Sequence, residues 1–344
     1  MSKILVTGGA GFIGSHTVVQ LFEAGYEPVI VDNFSNSNPQ ALEGIAKIIG
    51  QSCTFYEGDC NDIAFMDKVF ATEKNIDGVI HFAASKAVGE SVQKPLLYYK
   101  NNLGSLIVLI ETMHKYGVEK LVFSSSCTVY GQPEMLPVTE NSPILPAESP
   151  YGNTKQIGEE MIKDVVVSKN TPLRATLLRY FNPIGAHPTA HIGEFPTGVP
   201  NNLIPFITQT AAGLRPTLSV FGDDYNTPDG TCVRDYIHVL DLAEAHIKAL
   251  ELLDKQTEKY FWNVFNIGVG RGFSVLEVIK TFESVSGQPL NYKIAPRRSG
   301  DVEQVFANVE KATKELGWQT KLTLADGLKD AWRWQQKLSQ TAVS

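Results

Sequence analysis

The chain has 344 residues, 43% of them hydrophobic and 19% charged, enough to bury a sizeable core without disulfide or metal staples. No apolar run approaches the ~20 residues of a membrane-spanning helix. With 37 acidic against 30 basic side chains the net charge is -7, so the global field repels nucleic acid and anionic lipid, and an anionic ligand must be held by local donors. Cys53, Cys60, Cys127 and Cys232 show neither a CxxC pair nor zinc-ligand spacing. Reduced thiols and a cytoplasmic location are expected, in keeping with residues 3–7, which read as a core strand rather than a cleavable leader.

In chain order, β-branched runs alternate with helical stretches: a strand over 4–7, a helix over 11–23, a strand over 28–31, then strands over 53–56, 78–82 and 120–124 separated by helices over 63–70 and 95–116. A helix over 151–167 and a strand over 173–181 follow. Buried strands joined by crossover helices predict an α/β fold, a doubly wound parallel sheet of the Rossmann type. Residues 182–230 are rich in Pro, Gly, Asn and Thr, too long a stretch for a plain connection, and predict a smaller C-terminal α/β substrate-binding domain. The expected division is 1–181 with 236–267 returning to it, and 182–344. Later elements are a helix over 241–252, a strand over 264–267, and a helix opened by Ser274 with Glu277 three residues on, a capping box.

Between the first strand and the first helix lie Gly8, Gly11 and Gly14, the spacing that lets backbone approach a pyrophosphate while a helix N-terminus supplies amide donors. Asp32 ends the second strand, placed to accept hydrogen bonds from the adenosine ribose and to repel a 2′-phosphate. No arginine follows within 32–37, so NAD is expected rather than NADP; the alternative for Asp32 is an incidental turn residue. Asp59, at the end of the third strand, fits either an adenine contact or a turn.

Ser124, Ser125 and Ser126 close a buried strand, and Tyr151 opens a helix with Lys155 four residues on, on the same face. A tyrosine with a reference pKa of about 10 becomes a base near neutrality only if neighbouring cations stabilise its phenolate. Lys155 and a nicotinamide cation are the expected pair, with the Ser126 hydroxyl holding the oxygen that loses its proton. Proton and hydride transfer at a carbinol is the chemistry this points to.

The stretches VTGGAGFIGSH (6–16), FSSSCTVYG (123–131), SPYGNTK (149–155), RYFNPIGAH (179–187), FGDDYNTPDGTCVRDYIHV (221–239) and PRRSGD (296–301) resemble those of the extended short-chain dehydrogenase/reductases and, within them, the UDP-glucose 4-epimerase family. VDNFSNS (31–37) and KAVGESVQKP (86–95) belong to the same likeness, which runs nearly end to end. The resemblance implies interconversion of UDP-glucose and UDP-galactose through transient oxidation at C4 by tightly held NAD, with Tyr151 as base, Lys155 on the nicotinamide ribose and Ser126 on the sugar hydroxyl. For the cofactor it further implies Phe12, Ile13, Asp32, Asn33, Phe34, Ser35, Asn36 and Ser37, then Asp59 and Cys60, then Phe82, Ala83, Ala84, Ser85 and Lys86, with Asn101 and Phe181. Ala84-Ser85 stands where the family commonly carries Gly-Leu. For the nucleotide sugar it implies Asn182, Asn202, Leu203, Ser219 and Phe221, and then Arg234, Tyr236, Arg298 and Asp301.

A diphosphate on a chain of charge -7 calls for guanidinium forks such as Arg234 and Arg298; the alternative for each is an ion pair with Asp235 or Asp301. Val305 falls where a bulky tyrosine in the family goes with exclusion of N-acetylated sugars, so UDP-GlcNAc and UDP-GalNAc are expected as further substrates; otherwise Val305 only packs. A nucleotide-sugar 4,6-dehydratase is the rival enzyme, but the Asp-Glu it needs after the serine strand is Cys127-Thr128 here. A non-catalytic NAD-sensing module is the rival of another class, and it should lack the tyrosine or the lysine. No metal site is expected from His187 and His191, and Trp332 and Trp334 read as packing anchors. The helices over 95–116 and 151–167 could pair across a two-fold axis into a homodimer, as in the family.

Overall fold

The computed structural model describes residues 1–196, 198–200, 202–298 and 301–341. The first part of the chain runs β1 (Lys3–Thr7), α1 (Phe12–Glu23), β2 (Glu27–Asp32), α2 (Gln40–Ile49), β3 (Thr54–Glu57), α3 (Ile63–Thr72), β4 (Ile76–His81), α4 (Val88–Gln93) and α5 (Pro95–Tyr98). A π turn over Tyr99–Leu103 leads into α6 (Gly104–Tyr116), followed by β5 (Lys120–Ser126), α7 (Pro150–Ser168) and β6 (Leu173–Tyr180). Then come β7 (Asn182–Ile184), α8 (Leu203–Ala211), β8 (Leu218–Phe221), β9 (Val233–Arg234), β10 (Tyr236–His238), α9 (Val239–Lys255) and β11 (Tyr260–Ile267). The chain ends with β12 (Phe273–Ser274), α10 (Val275–Ser286), β13 (Tyr292–Ala295), β14 (Gln304–Val305), a π turn over Ala312–Leu316 and α11 (Leu324–Thr341).

Seven strands form one sheet in the order β11-β6-β5-β4-β1-β2-β3, every neighbouring pair parallel. Alternating side chains explain its two covered faces. Ile4, Val6, Ile30, Ile80 and Val122 point to one core with α1 and α9, while Leu5, Val29, Val79 and Leu121 point to the other with α3, α6 and α7. The order reverses at β1, between β2 and β4, so a crevice opens at the C-terminal ends of those strands, the usual ligand position in such sheets.

The remaining strands are short and scattered over three small sheets: β10 with β7, β12-β9-β14, and β13 with β8. Their core, built from Ile204, Ile207, Leu218, Val220, Phe282, Leu324 and Leu328, is separate from the two cores of the large sheet. The return to the large sheet is carried by α9 and β11; β10 itself pairs with β7 instead. The expected capping box at Ser274 is present, Ser274 Oγ accepting from the Glu277 amide at 3.0 Å and Glu277 Oε2 from the Ser274 amide at 2.8 Å. The helix expected over 95–116 is interrupted at Tyr99–Leu103 by the π turn.

Candidate active site

A cavity of about 290 Å³ runs along the C-terminal edge of the large sheet, from Asp32 and Asp59 past the glycine loop to Tyr151 and Asn182. Its dinucleotide end is built by one local unit. Gly11 is the N-cap of α1, with no side chain capping the helix, and no acidic residue lies in the first turn, so the first amides are left for an anion. Gly14 must be glycine for packing: a Cβ there would lie 2.2 Å from the Gly8 carbonyl oxygen. Asp32 is held rigidly, accepting from the Ala10 amide (3.0 Å), the Phe34 amide (2.9 Å) and the Ser37 hydroxyl (2.7 Å). A glycine cradle, an uncapped helix start and a fixed carboxylate at the second strand's end fit a dinucleotide.

Of the cofactor positions, Gly8, Gly11, Phe12, Ile13, Gly14, Asn33, Ser35, Asn36 and Ser37 line this cavity, as do Cys60, Phe82, Ala83, Ala84, Lys86, Asn101 and Phe181. Phe34 and Ser85 are not among the lining residues: the Phe34 ring tilts over Phe55 at 5.3 Å, and the Ser85 hydroxyl accepts from Asn101 Nδ2 at 3.2 Å. Asp59 lines the cavity and also closes a turn, accepting from the Asn61 amide at 2.9 Å.

At the other end, Ser149 caps α7 and Pro150 occupies its first turn, which fixes where Tyr151 leaves the helix. The Ser126 hydroxyl lies within hydrogen-bonding reach of the Tyr151 phenol. Lys155 is buried; its Nζ donates to the Ser124 carbonyl at 2.6 Å and sits 5.9 Å from the Tyr151 ring centroid. Without a bound cation, burial outweighs Ser126 and pushes the Tyr151 phenol up to about 12, with the nearby Cys127 adding to the rise. The sequence pointed to a lowered value with both Lys155 and a nicotinamide cation beside the phenol. Burial is a tertiary quantity, and it also draws the Lys155 ammonium down to about 8, so the lysine alone does not offset it.

The residues expected for the nucleotide sugar fall into two groups. Asn182 and Asn202 line the cavity. Leu203, Ser219, Phe221, Arg234, Tyr236, Arg298, Asp301 and Val305 do not; they lie beyond it, on or beside α8, β8, β9, β10 and β14. Both guanidiniums converge on Asp301, Arg298 Nη2 at 2.7 Å and Arg234 Nη2 at 3.9 Å, and Arg298 lies 5.7 Å from the Phe221 ring centroid. Asp235 is not a partner of either. It is buried and accepts the amides of Val269, Gly270 and Ala307, with burial raising its carboxyl to about 6. Arg297 pairs with Asp224 at 2.6 Å instead. Ser299 and Gly300 of the PRRSGD stretch lie outside the described residues.

Some residues of the site had drawn no attention in the sequence. Glu194 joins its two ends, its Oε1 lying 3.5 Å from Lys86 Nζ and accepting from Asn202 Nδ2 at 2.8 Å. The loop carrying it is anchored by Trp334, whose Nε1 donates to the Glu194 carbonyl at 2.9 Å. Thr128 lines the cavity with a buried hydroxyl that has no hydrogen-bond partner. Among the described residues no group of His, Cys, Asp and Glu is arranged to hold a metal, and no helix is long and apolar enough to cross a membrane.

Comparison with known proteins matches this geometry. A family model described as GDP-mannose 4,6 dehydratase matches residues 5–331. A UDP-glucose 4-epimerase of Bacillus subtilis (strain 168) is 54% identical over 332 residues, covering 96% of each chain. The chain belongs to the UDP-glucose 4-epimerase family. Its members are NAD-dependent isomerases within the extended short-chain dehydrogenase/reductases. Among solved structures, the epimerase of Bifidobacterium longum in complex with NAD+ and UDP superposes with a TM-score of 0.93 at 49% identity, covering 98% of each chain. That of Stenotrophomonas maltophila, with bound NAD and formylated UDP-arabinopyranose, gives a TM-score of 0.95 at 45% identity over 99% of this chain and 100% of that one. The Asp-Glu pair expected of a dehydratase would stand directly after Ser126. Here Cys127, a thiol raised to about 12 by burial, and Thr128 line the cavity, and neither is an acid at neutral pH.

Proposed function

We propose that the chain interconverts UDP-glucose and UDP-galactose by inverting C4 of the hexose. The observation that carries this is the meeting of Ser126, Tyr151 and Lys155 in the cavity that also holds the glycine loop and Asp32. Gly8, Gly11, Gly14 and Asp32 would hold NAD, and the bound dinucleotide supplies a hydride acceptor at C4 that gives the hydride back. The Ser126 hydroxyl orients the C4 hydroxyl, and the Tyr151 oxygen takes its proton and later returns it. Lys155 stabilises the Tyr151 phenolate that accepts the proton. Proton and hydride both leave and both return, so there is no net redox change. Inversion requires the ketose to present its other face, which Arg234 and Arg298 permit by gripping the diphosphate rather than the sugar. A non-catalytic role would not need this triad intact.

The structure also favours a wide sugar pocket. Val305, on β14 opposite Arg234, is buried in a cluster with Phe181 and Cys127, both of which line the cavity. A short side chain behind that wall leaves room for a 2-acetamido group, so UDP-GlcNAc and UDP-GalNAc belong to the proposed substrates. The proposed division is 1–181 with 236–267 for NAD and 182–344 for the nucleotide sugar. The proposed assembly is a homodimer through the helices of 95–116 and α7, where Leu96, Leu97 and Ile107 stand exposed. Four free thiols suit the cytoplasm.

Purified protein without added cofactor, incubated separately with UDP-galactose and UDP-GlcNAc and followed by proton NMR of the anomeric signals, tests the reading. Conversion of both is expected. Conversion of UDP-galactose alone removes the wide pocket, and no conversion even with added NAD removes the epimerase.

A further inference from the structure

Three consecutive residues of β5 each meet α7. The Ser124 carbonyl accepts from Lys155, the Ser126 hydroxyl reaches Tyr151, and between them the Ser125 hydroxyl donates to Glu159. Tyr151, Lys155 and Glu159 are spaced four apart, so they share one helix face. The Glu159 carboxylate is nearly buried, with its side chain 12% exposed, and is gripped in a fork by Arg179 of β6, Nε to Oε1 at 2.9 Å and Nη2 to Oε2 at 2.6 Å. Arg179 Nη1 donates to the Tyr130 hydroxyl at 2.9 Å, which donates to Asn266 Oδ1 on β11 at 2.6 Å. The network therefore spans β5, β6 and β11 beneath the helix that carries the base. Close approach of that helix is built in: a Cβ on Gly158 would lie 2.9 Å from the Phe123 ring, over which Lys155 Nζ sits at 5.0 Å.

We infer that Glu159 is a positioning residue of the epimerase reaction, locking α7 onto the ends of β5 and β6 and keeping the buried Lys155 ammonium charged. This rests on the function proposed above. The groups that face the Lys155–Tyr151 pair are His81 of β4, Phe123 and Ser124 of β5, Tyr180 of β6, the Tyr98 phenol and the Cys127 thiol. His81 is neutral, its pKa drawn down to about 3 by burial, and the phenols and thiol are raised. Within this set and Glu159, the charged group acting on Lys155 at neutral pH is therefore Glu159, itself paired with Arg179. One helical turn from Lys155, the Glu159 charge acts through space and opposes the desolvation that lowers it.

The test is kcat against pH for UDP-galactose with wild type, Glu159→Gln and the double variant Glu159→Gln/Arg179→Gln, each checked by thermal melting. The double variant replaces the ion pair with two neutral amides and keeps the test open should the single one fail to fold. In Glu159→Gln the alkaline limb moves down by about one pH unit, a loss of roughly tenfold at pH 8.5 and under about threefold near pH 6.5, while KM changes by less than about twofold. The double variant moves in the same direction by less, and Glu159→Asp recovers part of the limb. A folded variant that is slower at every pH with its limbs in place overturns the inference, and so does one with wild-type rates throughout. Absence of epimerisation in the wild type would instead overturn the functional reading itself.

Discussion

The two ends of the site are held together in different ways. The dinucleotide end comes from one uninterrupted β1-α1-β2 unit, and its key carboxylate, Asp32, is fixed by three donors all within residues 10–37. The proposed nucleotide-sugar end draws Asn182, Asn202, Ser219, Arg234 and Arg298 from five segments on strands of two to four residues or on loops, and its two guanidiniums rest on a single carboxylate, Asp301. The first is preorganised by backbone geometry and should lose function through steric change. The second is organised by charge, which a diphosphate can take over from Asp301, and should lose function through charge change.

The sharpest test lies where the ends meet. Tyr151→Phe should lower kcat by at least about 10³-fold while NAD stays bound, measured by turnover and by the absorbance of retained dinucleotide. Substantial residual epimerisation would remove Tyr151 from the mechanism. Next, Gly14→Ala should break the dinucleotide end alone. Its Cβ meets the Gly8 carbonyl at 2.2 Å, so about 1–3 kcal/mol of stability and most retained NAD should go, read by melting and absorbance.

Arg298→Ala should break the other end alone, raising KM for UDP-galactose by about 10- to 100-fold with NAD retention unchanged. Equal loss of NAD in this variant would show that the ends are not separable. Val305→Tyr should be narrower still, cutting turnover of UDP-GlcNAc by about tenfold relative to UDP-galactose.

The smallest effect is on stability. His16, His81 and His246 are buried, with pKa values drawn down to about 3, below the unfolded value near 6.5. The unfolded chain therefore binds more protons between pH 6.5 and 3. The stability they contribute is complete above pH 6.5 and is lost as pH falls through that window, by up to about 1.4 kcal/mol per unit for each ring. Asp235, raised to about 6, works the other way, because its protonation on acidification relieves a buried charge. The melting temperature should still fall from pH 7 to pH 5; a flat profile would contradict three neutral buried imidazoles.

The large sheet was legible because its central strands are runs of apolar residues with two covered faces, and its glycine loop, Asp32 and the Tyr151–Lys155 pair are contiguous or nearly so. The helix over Gln40–Ile49 and the helix over Leu203–Ala211 went unread, the latter inside a stretch whose Pro, Gly and Asn content masks its periodicity. Glu159 left a signal, a carboxylate on the same face as Tyr151 and Lys155, with Arg179 directly after the apolar pair Leu177-Leu178 of β6. Charges at buried positions need partners, and that clue was available without coordinates. Glu194 left none, since a loop glutamate becomes informative only when Lys86 and Asn202 are seen beside it.

Local order along the chain was enough to determine the parallel sheet, the dinucleotide cradle and the Ser126–Tyr151–Lys155 centre, because each depends on periodicity or on spacings of a few residues. The convergence of Arg234 and Arg298 on Asp301, the Glu159–Arg179 latch and the direction in which Tyr151 and Lys155 are shifted were decided only by tertiary structure. They depend on burial and on distances between segments far apart in the chain, quantities that arise when the sheet and its helices close over one another.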